Sequence, residues 1–190
     1  MQDTTPGGVL VVDLQPAYTE AIAPSLLRQT FAYLQSLPED LPLVAFWVNN
    51  ELSGDTEESV RNYWYESGAS EELLERIEFR EKPYAFLRGW MDQGVPHDAM
   101  RAVLKALRDK NIWDSRQLDA DTLQSLSEDG SQLADPLFRE ETVEDVAALM
   151  RRYERPWATC GGGRDECLLE VELALSSADV SFERIQYLTY

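Results

Sequence analysis

Histidine is almost missing from this chain, with His97 the one imidazole among 190 residues. One histidine cannot supply a His-rich ligand set, so the chain reads as metal-free, and nothing in it implies another cofactor. Bases are scarce too. Lys and Arg number 17 against 35 Asp and Glu, a formal net charge of −18 that argues against nucleic acid or an anionic membrane as partner. Cysteine occurs twice, as Cys160 and Cys167. The opening Met-Gln-Asp-Thr-Thr-Pro-Gly-Gly has neither the basic nor the apolar stretch of a secretion signal. Both thiols are therefore expected reduced, in the cytoplasm, and a Cys160–Cys167 disulfide is the weaker reading. No apolar run approaches membrane-spanning length, and there are no repeats or low-complexity linkers. What is present, 44% hydrophobic and 10% aromatic residues, is the make-up of one well-packed globular domain.

The most informative stretch begins at Trp157-Ala-Thr-Cys, a short apolar run suited to a buried strand and preceded by Pro156. Gly161, Gly162 and Gly163 then permit a sharp turn, and Asp165 and Glu166 suit a helix start. Leu168, Val171, Leu175 and Ala178 follow at helical spacing. Cys167 is thus expected in the first turn of a helix, where the macrodipole favours thiolate over thiol and free N–H groups can face a developing oxyanion. A cysteine there is also a common small packing residue, so this stretch alone leaves both readings open.

Earlier in the chain, Gly8-Val-Leu-Val-Val-Asp-Leu14 is apolar on both faces, as in the middle of a parallel sheet, and closes on Asp13. An acid at the carboxyl end of such a strand stands where α/β proteins place their sites. A helix is expected from about Pro24, with Leu26, Leu27, Thr30, Phe31, Leu34 and Leu37 on one face, ending near Pro38. The second strand, Leu43 to Val48, runs into Asn49, Asn50 and Glu51 at the same sheet edge. Helical turns are expected over Glu57 to Tyr65, with Tyr63, Trp64 and Tyr65 covering the site, and over Glu71 to Ile77. Phe79 to Phe86 is a short run containing Lys82, which on its own reads as a solvated lysine. Further helices are expected at Asp98 to Lys110 and Thr142 to Tyr153, with a mobile acidic segment over Asp119 to Asp135. Phe182 to Tyr190 reads as a last strand. Strands alternating with helices make this an α/β domain with a parallel sheet and right-handed crossovers.

Three of these stretches share a pattern. Val11-Val-Asp13-Leu-Gln15, Lys82-Pro-Tyr-Ala-Phe86 and Gly161-Gly-Gly-Arg-Asp165-Glu-Cys167-Leu168 together resemble the motifs of the isochorismatase-like cysteine hydrolases, in the family's order. The resemblance implies a three-layer fold with a mostly parallel central sheet flanked by helices. It implies a triad of Cys167 as nucleophile, Asp13 as base and Lys82 as stabilising cation. Gly162, Gly163 and Arg164 would form the oxyanion loop, with a cis peptide bond somewhere within Gly161 to Arg164. Gln15, Asn49, Tyr84 and Phe86 would line the substrate site. Where nicotinamidases of this family carry metal-binding histidines after the second strand, this chain has Asn49-Asn-Glu51. The spacing from Lys82 to Cys167 is also about twice the family's, and an insertion at about 88–137 accounts for the excess. That insertion would be a lid, a contact between subunits of a homo-oligomer, or a solvated excursion.

The leading expectation is a hydrolase of a small amide, carbamoyl or related small-molecule substrate. The alternative is a catalytically silent relative acting in protein–protein interaction. A phosphate-binding module ranks last, because Asp165 and Glu166 repel phosphate and no Gly-Lys-Ser/Thr follows the glycines.

Overall fold

The computed structural model describes residues 6–49, 54–82, 156–177 and 179–190. The chain divides into two compact units. One comprises Met1–Lys82, Tyr153–Arg164 and Ser181–Tyr190, the other Pro83–Arg152 and Asp165–Val180. The insertion expected at about 88–137, its mobile acidic segment, the helix at Thr142 to Tyr153, and Tyr84, Phe86 and His97 lie outside the described residues.

The first unit holds an all-parallel sheet of five strands, β1 (Gly8–Val12), β2 (Leu43–Trp47), β3 (Glu78–Glu81), β4 (Trp157–Gly161) and β5 (Phe182–Arg184), in the order β3-β2-β1-β4-β5. The central strand β1 pairs with both neighbours, Val9 opposite Leu43 on one side and Ala158 on the other. Three helices, α1 (Pro24–Gln35), α2 (Glu57–Glu66) and α3 (Glu71–Arg76), belong to the crossovers from β1 to β2 and from β2 to β3. Pro24 presets the first turn of α1. Thr56 and Ser59 cap α2 reciprocally, each side chain bonding to the other's backbone N–H. Ser70 caps α3 through the Leu73 N–H.

Alternation along the strands divides the sheet into two apolar faces. Val9, Val11, Ala45, Trp47, Phe79 and Cys160 share a core with Leu27, Phe31 and Leu34 of α1, Trp64 of α2 and Leu73 of α3. Leu10, Val12, Val44, Phe46, Trp157 and Thr159, on the other face, are also buried. Burial on both faces is what a parallel sheet in a three-layer α/β fold requires, and it explains why β1, β2 and β4 read as continuous apolar runs. Each fully buried Leu or Phe contributes roughly 1.5–3 kcal/mol. Gly8 lies against the Trp157 ring, where a Cβ would approach to 2.6 Å, so a side chain here would have to displace that buried ring.

Two expectations change. Tyr63, Trp64 and Tyr65 do not act together as a cover. Trp64 is a core residue packed on Phe31 and Phe79, with ring centroids 5.0 and 5.1 Å away, while Tyr65 is exposed. The last strand is shorter than expected. Beyond Arg184 the Ile185 N–H still reaches the Thr159 carbonyl, but β4 turns away at Gly161 and leaves no further ladder. The chain then winds into a 3-10 turn, Gln186–Leu188.

The strand order reverses at β1. The chain builds β2 and β3 to one side, then returns to place β4 and β5 on the other. In open parallel sheets the loops leaving the two strands at such a reversal diverge, and the crevice at their carboxyl ends is where ligands bind. Here those ends carry Asp13 and the Gly161–Gly163 turn.

Candidate active site

β1 ends at Val12, and Asp13 turns the chain out of the sheet with φ +50°, in the left-handed region. That conformation costs a non-glycine residue roughly 1–2 kcal/mol, and aspartate is among the residues that bear it best. The Asp13 N–H donates to the Phe46 carbonyl at 2.9 Å, and its own carbonyl accepts from the Tyr190 hydroxyl at 3.3 Å. Its carboxylate is wholly buried. Oδ2 accepts from Lys82 Nζ at 2.8 Å, while Oδ1 has no hydrogen-bond partner among the described residues.

Lys82 reaches Asp13 from one strand further out than β2. Its N–H donates to the Trp47 carbonyl at 2.6 Å, extending the β2–β3 ladder by one residue, and its side chain is only 5% exposed. The solvated lysine of the bare sequence is therefore a buried cation, and the pairing that the resemblance implied between Asp13 and Lys82 is present across 69 positions of sequence. Removing either partner of such a pair strands a charge in the interior, at a cost of about 3–5 kcal/mol.

At the carboxyl end of β4, beside β1, Gly161 and Gly162 take φ +78° and +46°. A Cβ on Gly161 would come within 2.4 Å of the Val12 carbonyl, so glycine is required there twice over, by conformation and by space. Peptide bonds among the described residues are all trans. The cis bond expected within Gly161 to Arg164 is absent, since two successive glycines at positive φ already make the turn. The N–H of Gly162 donates to the Val12 carbonyl at 2.6 Å and that of Arg164 to the Tyr190 carbonyl at 2.7 Å. Two of the three N–H groups expected in the oxyanion loop are thus engaged within the fold. Gly163 is buried and makes no backbone hydrogen bond of this kind among the described residues.

Gln15 is buried and anchors the chain. Its Oε1 accepts the Val48 N–H at 2.8 Å, and its Nε2 donates to the Val48 carbonyl at 2.9 Å and to Asp55 Oδ2 at 2.7 Å. Both amide hydrogens expected to meet substrate are occupied in joining the exit of β1 to the end of β2. Asp55, also buried, accepts the Ala17 N–H at 3.0 Å. Nothing in the sequence around Asp55 singles it out, because its partners Gln15 and Ala17 lie 40 and 38 positions away. Trp64 Nε1 completes the cluster by donating to the Leu14 carbonyl at 2.6 Å. Asn49 is exposed beyond the end of β2.

In the second unit, Cys167 is the first residue of α4 (Cys167–Ser177) and is half-buried. This is the helix start that the sequence indicated. The helix is buried nearly all round, through Leu168, Leu169, Val171, Leu173 and Leu175, and it buries Glu170 and Glu172 as well. Cys160, by contrast, is wholly buried in β4, and burial pushes its thiol up to about 12. Of the two cysteines, Cys160 has the environment of an inert buried thiol, whereas Cys167 is partly exposed at a helix start. Neither is in a disulfide.

Among the described residues no group of three or more His, Cys, Asp or Glu could hold a metal ion, and no helix is long and apolar enough to cross a membrane. No family model, curated protein or solved structure matches the chain.

Proposed function

We propose that this protein is a cysteine-dependent hydrolase of a small amide, carbamoyl or related compound, of the isochorismatase-like kind, working in the cytoplasm without metal or cofactor. The observation that carries the reading is the buried Asp13–Lys82 pair at the sheet's reversal point, with one carboxylate oxygen unpartnered and the backbone in a left-handed conformation. A buried, ion-paired carboxylate on strained backbone with one oxygen still open suits a proton acceptor.

In this reading Asp13 Oδ1 takes the proton of the Cys167 thiol, and the thiolate attacks the substrate carbonyl. The tetrahedral oxyanion collapses, Asp13 returns its proton to the leaving amine, and a thioester remains on Cys167. Water, deprotonated by Asp13, then attacks the thioester and releases the acid and the thiol. Lys82 holds the carboxylate in place and offsets the negative charge of the thiolate. The test is turnover of a panel of small amides and carbamoyl compounds by the purified protein, with Cys167→Ala alongside. Turnover should drop on the order of a thousandfold or more in the variant while its folding is kept. An unchanged rate in Cys167→Ala ends the proposal, and a thiol no faster to alkylate than free cysteine leaves the silent, protein-binding reading in its place.

A further inference from the structure

Tyr190 bonds both to the exit of β1 and to the turn after β4. Its phenolic O–H donates to the Asp13 carbonyl at 3.3 Å, and its own carbonyl accepts the Arg164 N–H at 2.7 Å. Its ring packs against the core under the sheet. The sequence offered no reason to single it out, since it reads as the end of a strand. Asp13 for its part sits at φ +50°, a conformation that lasts only where the surroundings hold it. Its N–H is held by the Phe46 carbonyl and its carboxylate by Lys82, and the hydroxyl of Tyr190 holds its carbonyl.

We propose that Tyr190 is a positioning residue for Asp13. It ties the exit of β1 to the turn after β4 and keeps Asp13 in the left-handed conformation that directs its carboxylate to Lys82 and leaves Oδ1 uncommitted. The direction in which a side chain leaves the backbone follows from φ and ψ, so an Asp13 that relaxed toward an extended conformation would carry its carboxylate elsewhere. The hydroxyl bond is long, so Tyr190 biases this conformation rather than locking it, and the bias is worth roughly two- to tenfold in rate. The effect on the backbone of Asp13 stands by itself. The effect on chemistry rests on the proposed role of Asp13 as the base for Cys167.

Tyr190→Phe separates positioning from packing, because it keeps the ring and removes only the hydroxyl. Two readouts are needed. The backbone chemical shifts of Asp13, which report its φ and do not involve Cys167, should move toward extended values in Tyr190→Phe while those of Val44 and Ala45 stay. The pH profile of Cys167 alkylation by iodoacetamide should shift in the same direction as in Asp13→Asn but by less. The Tyr190→Phe shift should vanish when it is added to Asp13→Asn. Unmoved Asp13 chemical shifts overturn the proposal. So does an alkylation profile that Asp13→Asn alters and Tyr190→Phe does not, or a Tyr190→Phe effect that persists in full on the Asp13→Asn background. If the Asp13 shifts move but neither variant alters alkylation, Tyr190 positions Asp13 as proposed, and it is the assignment of Asp13 as base that fails.

Discussion

The exit of β1 carries two buried polar clusters, one around Asp13 and one around Gln15, and they are finished differently. Gln15 has its carbonyl and both amide hydrogens engaged, and it delivers Asp55 and both backbone groups of Val48 into the same closed set. Asp13 keeps one oxygen without a partner, bears a buried charge and sits in a left-handed conformation. A closed network stabilises and specifies a fold, whereas an open one is destabilising unless something else uses it. The contrast teaches that burial of polar side chains does not by itself mark a site. Unfilled capacity alone does not either, since Thr30 Oγ1, Trp47 Nε1, the Tyr63 hydroxyl and Arg76 Nε are also buried without a partner among the described residues. What sets Asp13 apart is that its open oxygen coincides with a buried ion pair and a left-handed backbone at a strand end.

Substitution should break the two clusters in opposite ways. The largest effect is expected for Asp13→Asn, which removes the proposed proton acceptor and should lower turnover roughly a hundred- to ten-thousandfold, measured as kcat with the unfolded fraction corrected for. Turnover that tracks only the folded fraction would put Asp13 in the same class as Gln15. Next is Lys82→Met, expected to cost about 3–5 kcal/mol in urea unfolding because it leaves the Asp13 carboxylate buried without its cation. Adding Asp13→Asn to it should restore most of that stability and none of the turnover. A double variant as unstable as Lys82→Met would show that the cost lay in packing rather than in charge.

Gln15→Leu should cost about 2–4 kcal/mol, since it strands the Val48 N–H and carbonyl and takes a donor from Asp55. Turnover per folded molecule should change far less than in Asp13→Asn, and an equal loss would erase the distinction between the clusters.

How much of this was legible beforehand follows from the range of the interactions. Strands β1, β2 and β4 were readable because their burial on both faces writes a continuous apolar run, and α1 and α4 because their periodicity and flanking Pro24 and Asp165-Glu166 are local signals. The placement of Asp13 at a strand end was local too. Its partner was not, because nothing in the residues around Lys82 distinguishes a buried lysine from a solvated one, and only the likeness to a family pattern linked them. The bonds from Gln15 to Asp55, and from Tyr190 back to Asp13, span 40 and 177 positions and leave no trace in any window of sequence. The left-handed backbone of Asp13 is equally silent, since aspartate tolerates that conformation without demanding it.

The smallest expected effect concerns a buried group outside both clusters. The Cys160 thiol titrates from 9.0 when unfolded and is pushed up to about 12 by burial. Between those values the unfolded chain has lost a proton that the folded one keeps, so stability that is intact below pH 9.0 falls as pH rises toward about 12. The slope contributed is at most about 1.4 kcal/mol per pH unit. Cys160→Val should flatten the alkaline decline in urea unfolding without abolishing it, because burial also raises the Tyr33 hydroxyl. An identical decline in the variant would mean that burial of Cys160 sets no such penalty.

The central claim is that the open cluster serves covalent chemistry at Cys167, and acid-quenched peptide mapping during turnover tests it most directly. With a substrate found by the amide and carbamoyl panel, the wild-type protein should carry an acyl group on the peptide containing Cys167. That adduct should form more slowly in Asp13→Asn and be absent in Cys167→Ala. Steady hydrolysis with Cys167 unmodified, continuing at the same rate in Cys167→Ala, would contradict it.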